Sequence, residues 1–117
     1  MFYVATFSAT TGKTHVYKTQ DIENGPWQAH EFAPVLHDNS LFFDNDGRVY
    51  MIYGGGEISL VELKSDASDI KPGGTHKIII ENVNKAFGEN EVGGLPGEGS
   101  QMHKINGKYY LFTIASP

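Results

Sequence analysis

Two stretches of this chain can be laid over each other without a gap at a constant offset of 60 residues, and each is led by a carboxylate. Asp38 meets Glu98, Ser40 meets Ser100, Asp46 meets Asn106, Gly47 meets Gly107, Arg48 meets Lys108, Tyr50 meets Tyr110 and Met51 meets Leu111. One supersecondary unit is used twice. Repeat folds that close on themselves bring equivalent positions together around an axis, so the pattern narrows the architecture and aims two acidic side chains at one place. Two carboxylates pointed at one cavity are a candidate acid/base apparatus.

The residue types between these landmarks are those of strands. Residues 2–8 are rich in β-branched and aromatic side chains, and a turn at 10–13 leads into a second such run at 14–19, which predicts a hairpin. Asn24-Gly25-Pro26 marks a turn, with a short third strand around 28–32 before Pro34. Strands at 40–43 and 48–53 flank Asp44-Asn45-Asp46-Gly47, whose Asp-Gly step supplies the positive-φ residue of a tight hairpin. Residues 57–63 read as an alternating strand and 78–80 as a short apolar one. A helical patch is expected at 83–87, followed by a Gly- and Pro-rich stretch to residue 97. A last hairpin, 100–103 with 108–114, turns at Asn106-Gly107.

Four short antiparallel strands per unit, meandering and repeated, are the pattern of a β-propeller blade. The expected fold class is all-β, a β-propeller fragment. Residues 1–33 would supply the outer strands of one blade, 38–81 a complete four-stranded blade, and 98–117 the inner strands of the next. Propellers close with roughly four to eight blades, so open edges and two open blade faces are expected. Either the sequence is part of a larger protein, or several copies complete each other as a homo-oligomer.

Composition excludes several classes. A net charge of −5 with nine scattered basic residues argues against nucleic acid as partner. With no cysteine there is no disulfide framework, thiolate nucleophile or Cys-based zinc site, and the compartment is left open. Neither a signal peptide nor a membrane span is legible.

The segments running from His37 to Tyr50 (His-Asp-Asn-Ser-Leu-Phe-Phe-Asp-Asn-Asp-Gly-Arg-Val-Tyr) and from Glu98 to Phe112 (Glu-Gly-Ser-Gln-Met-His-Lys-Ile-Asn-Gly-Lys-Tyr-Tyr-Leu-Phe) resemble glycoside hydrolase family 43. Phe7-Ser8 and Lys18-Thr19-Gln20-Asp21-Ile22 extend the resemblance over nearly the whole chain. It implies a five-bladed propeller enzyme of the β-xylosidase, α-L-arabinofuranosidase or arabinanase kind, acting on a pentose-containing oligosaccharide of xylan or arabinan type without a cofactor. That family uses an aspartate general base, an aspartate that orients the acid and raises its pKa, and a glutamate general acid. Asp38 matches the second and Glu98 the third; the base motif, a His-Pro-Asp-Pro-type segment, has no counterpart here. The resemblance therefore implies an acid and its modulator without the base, and a chain that hydrolyses little or nothing alone.

Each feature also has a bland reading. An aspartate before a strand is commonly a turn residue bonding its own backbone, and a glutamate between two glycines is commonly solvated; the repeat and the family match together favour the site. An EF-hand reading of Asp44-Asn45-Asp46-Gly47 fails, because it would put Phe42 where a carboxylate is required. The five histidines show no metal-ligand spacing. His37 is singled out beside Asp38, although on a strand its side chain would point to the opposite face. Phe7 and Phe42 are candidates to stack on a sugar ring, with core packing as the commoner role of such aromatics. Gly54-Gly55-Gly56 and Gly93-Gly94 read as turns and bulges. A noncatalytic propeller module that binds carbohydrate or protein is the alternative, favoured if Asp38 and Glu98 lie far apart or face solvent.

Overall fold

The computed structural model describes residues 1–87 and 94–116. Among these residues nine strands run in chain order: β1 (Phe2–Ser8), β2 (Lys13–Thr19), β3 (Gln28–Phe32), β4 (Ser40–Phe43), β5 (Val49–Tyr53), β6 (Ile58–Leu63), β7 (His76–Ile80), β8 (Glu98–Ile105) and β9 (Lys108–Ile114). They form three antiparallel meanders, β1-β2-β3, β4-β5-β6-β7 and β8-β9, and the described residues are all-β apart from one turn of 3-10 helix at Val83–Phe87. None of the sheets closes on itself, and no helix among the described residues is long and apolar enough to cross a membrane.

Turn chemistry sets the registers. Gly47 takes φ 86° and its N–H donates to Asp44 O at 3.2 Å, while Asp44 N–H donates to Arg48 O at 2.9 Å, closing the β4-β5 hairpin. Asn106 and Gly107 both have positive φ, 51° and 75°, between paired Ile105 and Lys108. Such a two-residue turn matches the right-handed strand twist.

The four-stranded sheet is the middle layer, and its two faces feed two cores. Val49, Met51, Val61 and Leu63 pack with Val16, Phe32 and Leu36 from the first sheet and its exit loop. Phe42, Ile52 and Ile58 pack with Val83, and Met102 and Leu111 of the third sheet close that side. This sandwich corrects the alternating reading of residues 57–63: every residue of β6 but Leu60 is buried, because a strand covered on both faces has no solvent side to alternate with. The patch at 83–87 is 3-10 rather than α. β8 starts at Glu98, two residues earlier than the sequence suggested. Gly93, read with Gly94 as a turn, lies outside the described residues, as does Pro117 at the end of the third unit.

The outer faces of the first and third sheets carry apolar side chains without cover. Phe2 and Val4 are exposed on β1, and Ile105, Tyr110, Phe112 and Ile114 on the β8-β9 hairpin.

Candidate active site

Asp38 is held in the loop that carries the chain from β3 to β4. Buried Thr14 anchors that loop: its hydroxyl donates to Pro34 O at 2.8 Å and accepts from Leu36 N–H at 2.9 Å. The Asn39 amide then donates to Leu36 O at 2.8 Å and to Thr6 O on β1 at 3.1 Å. Clamped at both ends, the loop turns through Asp38 at φ 48°, a left-handed conformation that Asp and Asn tolerate better than most residues. His37 and Asp38 are thus turn residues and not strand residues. Alternation does not apply, and the opposite-face expectation for His37 is corrected: His37 Nε2 lies 3.5 Å from Asp38 Oδ2.

Glu98 opens β8 opposite Ile114, where the register shifts between Glu98 and Gln101 and Gly99 takes φ 62°. Thr113 donates its hydroxyl to Glu98 O at 2.9 Å, fixing the backbone. The carboxylate comes forward to His37, with Glu98 Oε2 at 3.4 Å from Nε2. The three donor atoms of His37, Asp38 and Glu98 all lie within 4.8 Å of one another. The side chains are 54%, 30% and 20% exposed respectively, so the cluster is reachable from solvent while its carboxylates are largely covered. The same three donors are the set among the described residues that a cation would meet.

Phe7 belongs to this cluster. Its ring meets the His37 ring edge-on at 5.0 Å between centroids, and with Asp38, Asn39, Ser100 and Gln101 it lines a cleft of about 290 Å³. Phe42 does not: it is buried between the second and third sheets, edge-on to Tyr109 at 5.9 Å. Packing claims it, because as the third residue of β4 it faces β8.

Three side chains that the sequence did not assign to the site tie β4 and the loop before it to their neighbours. Asn39 ties the Asp38 loop to β1. Ser40 donates to Ser100 O at 2.6 Å, joining β4 to β8 just inside the two carboxylates. At the far end of the same strands Asp44 accepts from Tyr109 OH at 2.6 Å and from Lys104 Nζ at 3.0 Å. The Tyr109 hydroxyl, then the Lys104 ammonium, hold its carboxyl down to about 2.

Residues 1–116 match the family model for Glycosyl hydrolases family 43. The chain belongs to that family. Among solved structures it is similar to a bifunctional GH43-CE protein of Bacteroides eggerthii, at 53% identity and TM-score 0.85 over 95% of this chain. It also shares its fold with a GH43 glycoside hydrolase whose engineered active site displays both endo-xylanase and exo-arabinofuranosidase activity, at 19% identity and TM-score 0.70 over 97% of this chain. It spans 14% and 21% of the length of those two chains. No curated protein matches it.

Proposed function

We propose that the chain carries the acid half of an inverting glycosidase site for xylan- or arabinan-type pentosides, of the β-xylosidase or α-L-arabinofuranosidase kind. The observation that carries this reading is the convergence of Asp38 and Glu98, at equivalent positions of the repeat, on one imidazole within 4.8 Å. In the proposed role Glu98 gives its proton to the leaving oxygen. Asp38 orients it, since the two carboxylates meet the same imidazole nitrogen. His37 and Phe7 line the sugar side.

Inversion also needs a carboxylate that activates water from roughly 6.5–9.5 Å away across the sugar. Asp38 is too close to Glu98 for that, and no segment of the sequence matches the family's base motif. In this reading the base comes from another polypeptide segment, and the chain alone turns over little or nothing. The alternative of a noncatalytic binding module is disfavoured by the short separation and partial burial of the two carboxylates. Product configuration tests the assignment: a polypeptide that supplies the base should release the inverted sugar, read by proton NMR within the first minutes of hydrolysis. A retained product would make Asp38 a nucleophile, since retaining pairs stand about 5–5.5 Å apart.

The three meanders are proposed as one complete blade at 38–81, the outer strands of a blade at 1–33 and the inner strands of another at 98–117, in a five-bladed ring. The uncovered Phe2, Val4, Tyr110, Phe112 and Ile114 support this reading, because contiguous exposed apolar faces mark surfaces that something covers. The proposed homo-oligomer, in which copies complete each other, predicts discrete multiples of 12.9 kDa in sedimentation over a range of concentrations. A strictly monomeric species at high concentration would sink that assembly.

A further inference from the structure

Gly54-Gly55-Gly56 follows β5 and is attached at both ends. Gly54 N–H donates to His37 O at 2.8 Å, and Gly56 N–H donates to Gly97 O at 2.8 Å, while Gly56 O accepts from Val83 N–H at 2.9 Å. The loop backbone thus joins the residue before Asp38 to the residue before Glu98. Between these anchors, a Cβ on Gly55 would stand 3.2 Å from Glu98 Oε2 and 3.6 Å from both Glu98 Cβ and Pro96 Cγ.

The three glycines are there for different reasons. Gly54 and Gly56 take φ 109° and 76°, and a Cβ on Gly54 would come within 2.3 Å of Glu57 O. Those two positions need glycine for the backbone. Gly55 is not in the left-handed region, so its backbone would accept alanine. What fills the space a side chain would take is the Glu98 carboxylate.

We infer that this loop is a brace for the candidate acid, with Gly55 as a positioning residue. Its bare backbone is the wall on which the Glu98 carboxylate rests, and the hydrogen bonds of Gly54 and Gly56 set the distance of that wall from the Asp38 loop. The importance of the position rests on the reading of Glu98 as acid; the contact itself does not. A methyl at residue 55 leaves both anchoring bonds in place and pushes the carboxylate away from the loop, so its relation to His37 changes while the fold does not.

The test is heteronuclear NMR on the 117-residue chain, comparing wild type with Gly55→Ala and Gly55→Val. The side-chain carboxyl carbon of Glu98 and Nε2 of His37 are expected to shift in Gly55→Ala and further in Gly55→Val. The Gly54 and Gly56 amides, both hydrogen-bonded, are expected to be as protected from hydrogen exchange in Gly55→Ala as in wild type. Unmoved Glu98 and His37 resonances in a folded Gly55→Ala would overturn the inference. Loss of protection at Gly54 or Gly56 in that variant would also overturn it, by placing the conflict in the backbone. Neither readout requires turnover, so failure of the brace is distinguishable from failure of the acid assignment, which is read by leaving-group kinetics.

Discussion

Ser40 donates its hydroxyl to the carbonyl of Ser100 at 2.6 Å, so each serine meets its own counterpart in the repeat. Asp44 and Lys104, paired at 3.0 Å, stand at the same offset of 60 residues, as do Asp38 and Glu98. Strands β4 and β8 therefore lie side by side in the same direction without stagger, and the two candidate carboxylates are neighbours because the repeat units are. The Ser40 bond is expected to be worth about 1 kcal/mol, the usual net value of a partly buried hydrogen bond. Ser40→Ala should lower the urea unfolding free energy by about that amount. Ser100→Ala should leave it unchanged or raise it, because Ser100 Oγ is buried without a hydrogen-bond partner among the described residues.

Asp44 links stability to pH. Its carboxyl is held at about 2, below the ordinary value of 3.8, by the Tyr109 hydroxyl first and the Lys104 ammonium second. A group depressed on folding stabilises the native state fully above its unfolded value, and that contribution is lost as pH falls through the folded value. Thermal midpoints should therefore fall from about pH 4 towards pH 2, and Asp44→Asn should flatten the dependence in that window while lowering the plateau. Equal slopes in wild type and Asp44→Asn would remove Asp44 from the linkage.

Charge and backbone at Asp38 are separable. Asparagine shares the tolerance of aspartate for φ 48°, so Asp38→Asn should unfold within about 0.5 kcal/mol of wild type, while a polypeptide that supplies the base and carries this substitution should lose about 10²-fold in turnover, the low end of what the proton transfer that Asp38 supports contributes. Asp38→Val should also destabilise the fold, by roughly 1–2 kcal/mol for the left-handed backbone. Denaturation of the two variants, and initial rates of the base-supplying polypeptide that carries them, check this.

The hairpins were legible in sequence because turn chemistry is local: Gly47 and Asn106-Gly107 announce their own conformations. The pairing of Asp38 with Glu98 was legible through the repeat and the family resemblance. What escaped depends on contacts distant in sequence. The left-handed turn that brings His37 to the side of Asp38 is set in part by Asn39 reaching Thr6 on another sheet. The burial of β6 on both faces comes from neighbours on two sheets. Phe42 read as a candidate sugar platform, with core packing the commoner role, until β8 covered it, and Gly55 shows its use only when Glu98, 43 residues later, folds against it.

The most direct test of Glu98 as the acid is the leaving-group dependence of hydrolysis. Residues 1–116 would replace the matching segment of the 53%-identical Bacteroides eggerthii protein, with and without Glu98→Gln, and be assayed on 2,4-dinitrophenyl and alkyl pentosides. A dinitrophenolate leaves without protonation and an alkoxide does not. Glu98→Gln should keep substantial activity on the aryl substrate and lose about 10²–10⁴-fold on the alkyl one. Equal activity of the two proteins on the alkyl pentoside would contradict the assignment.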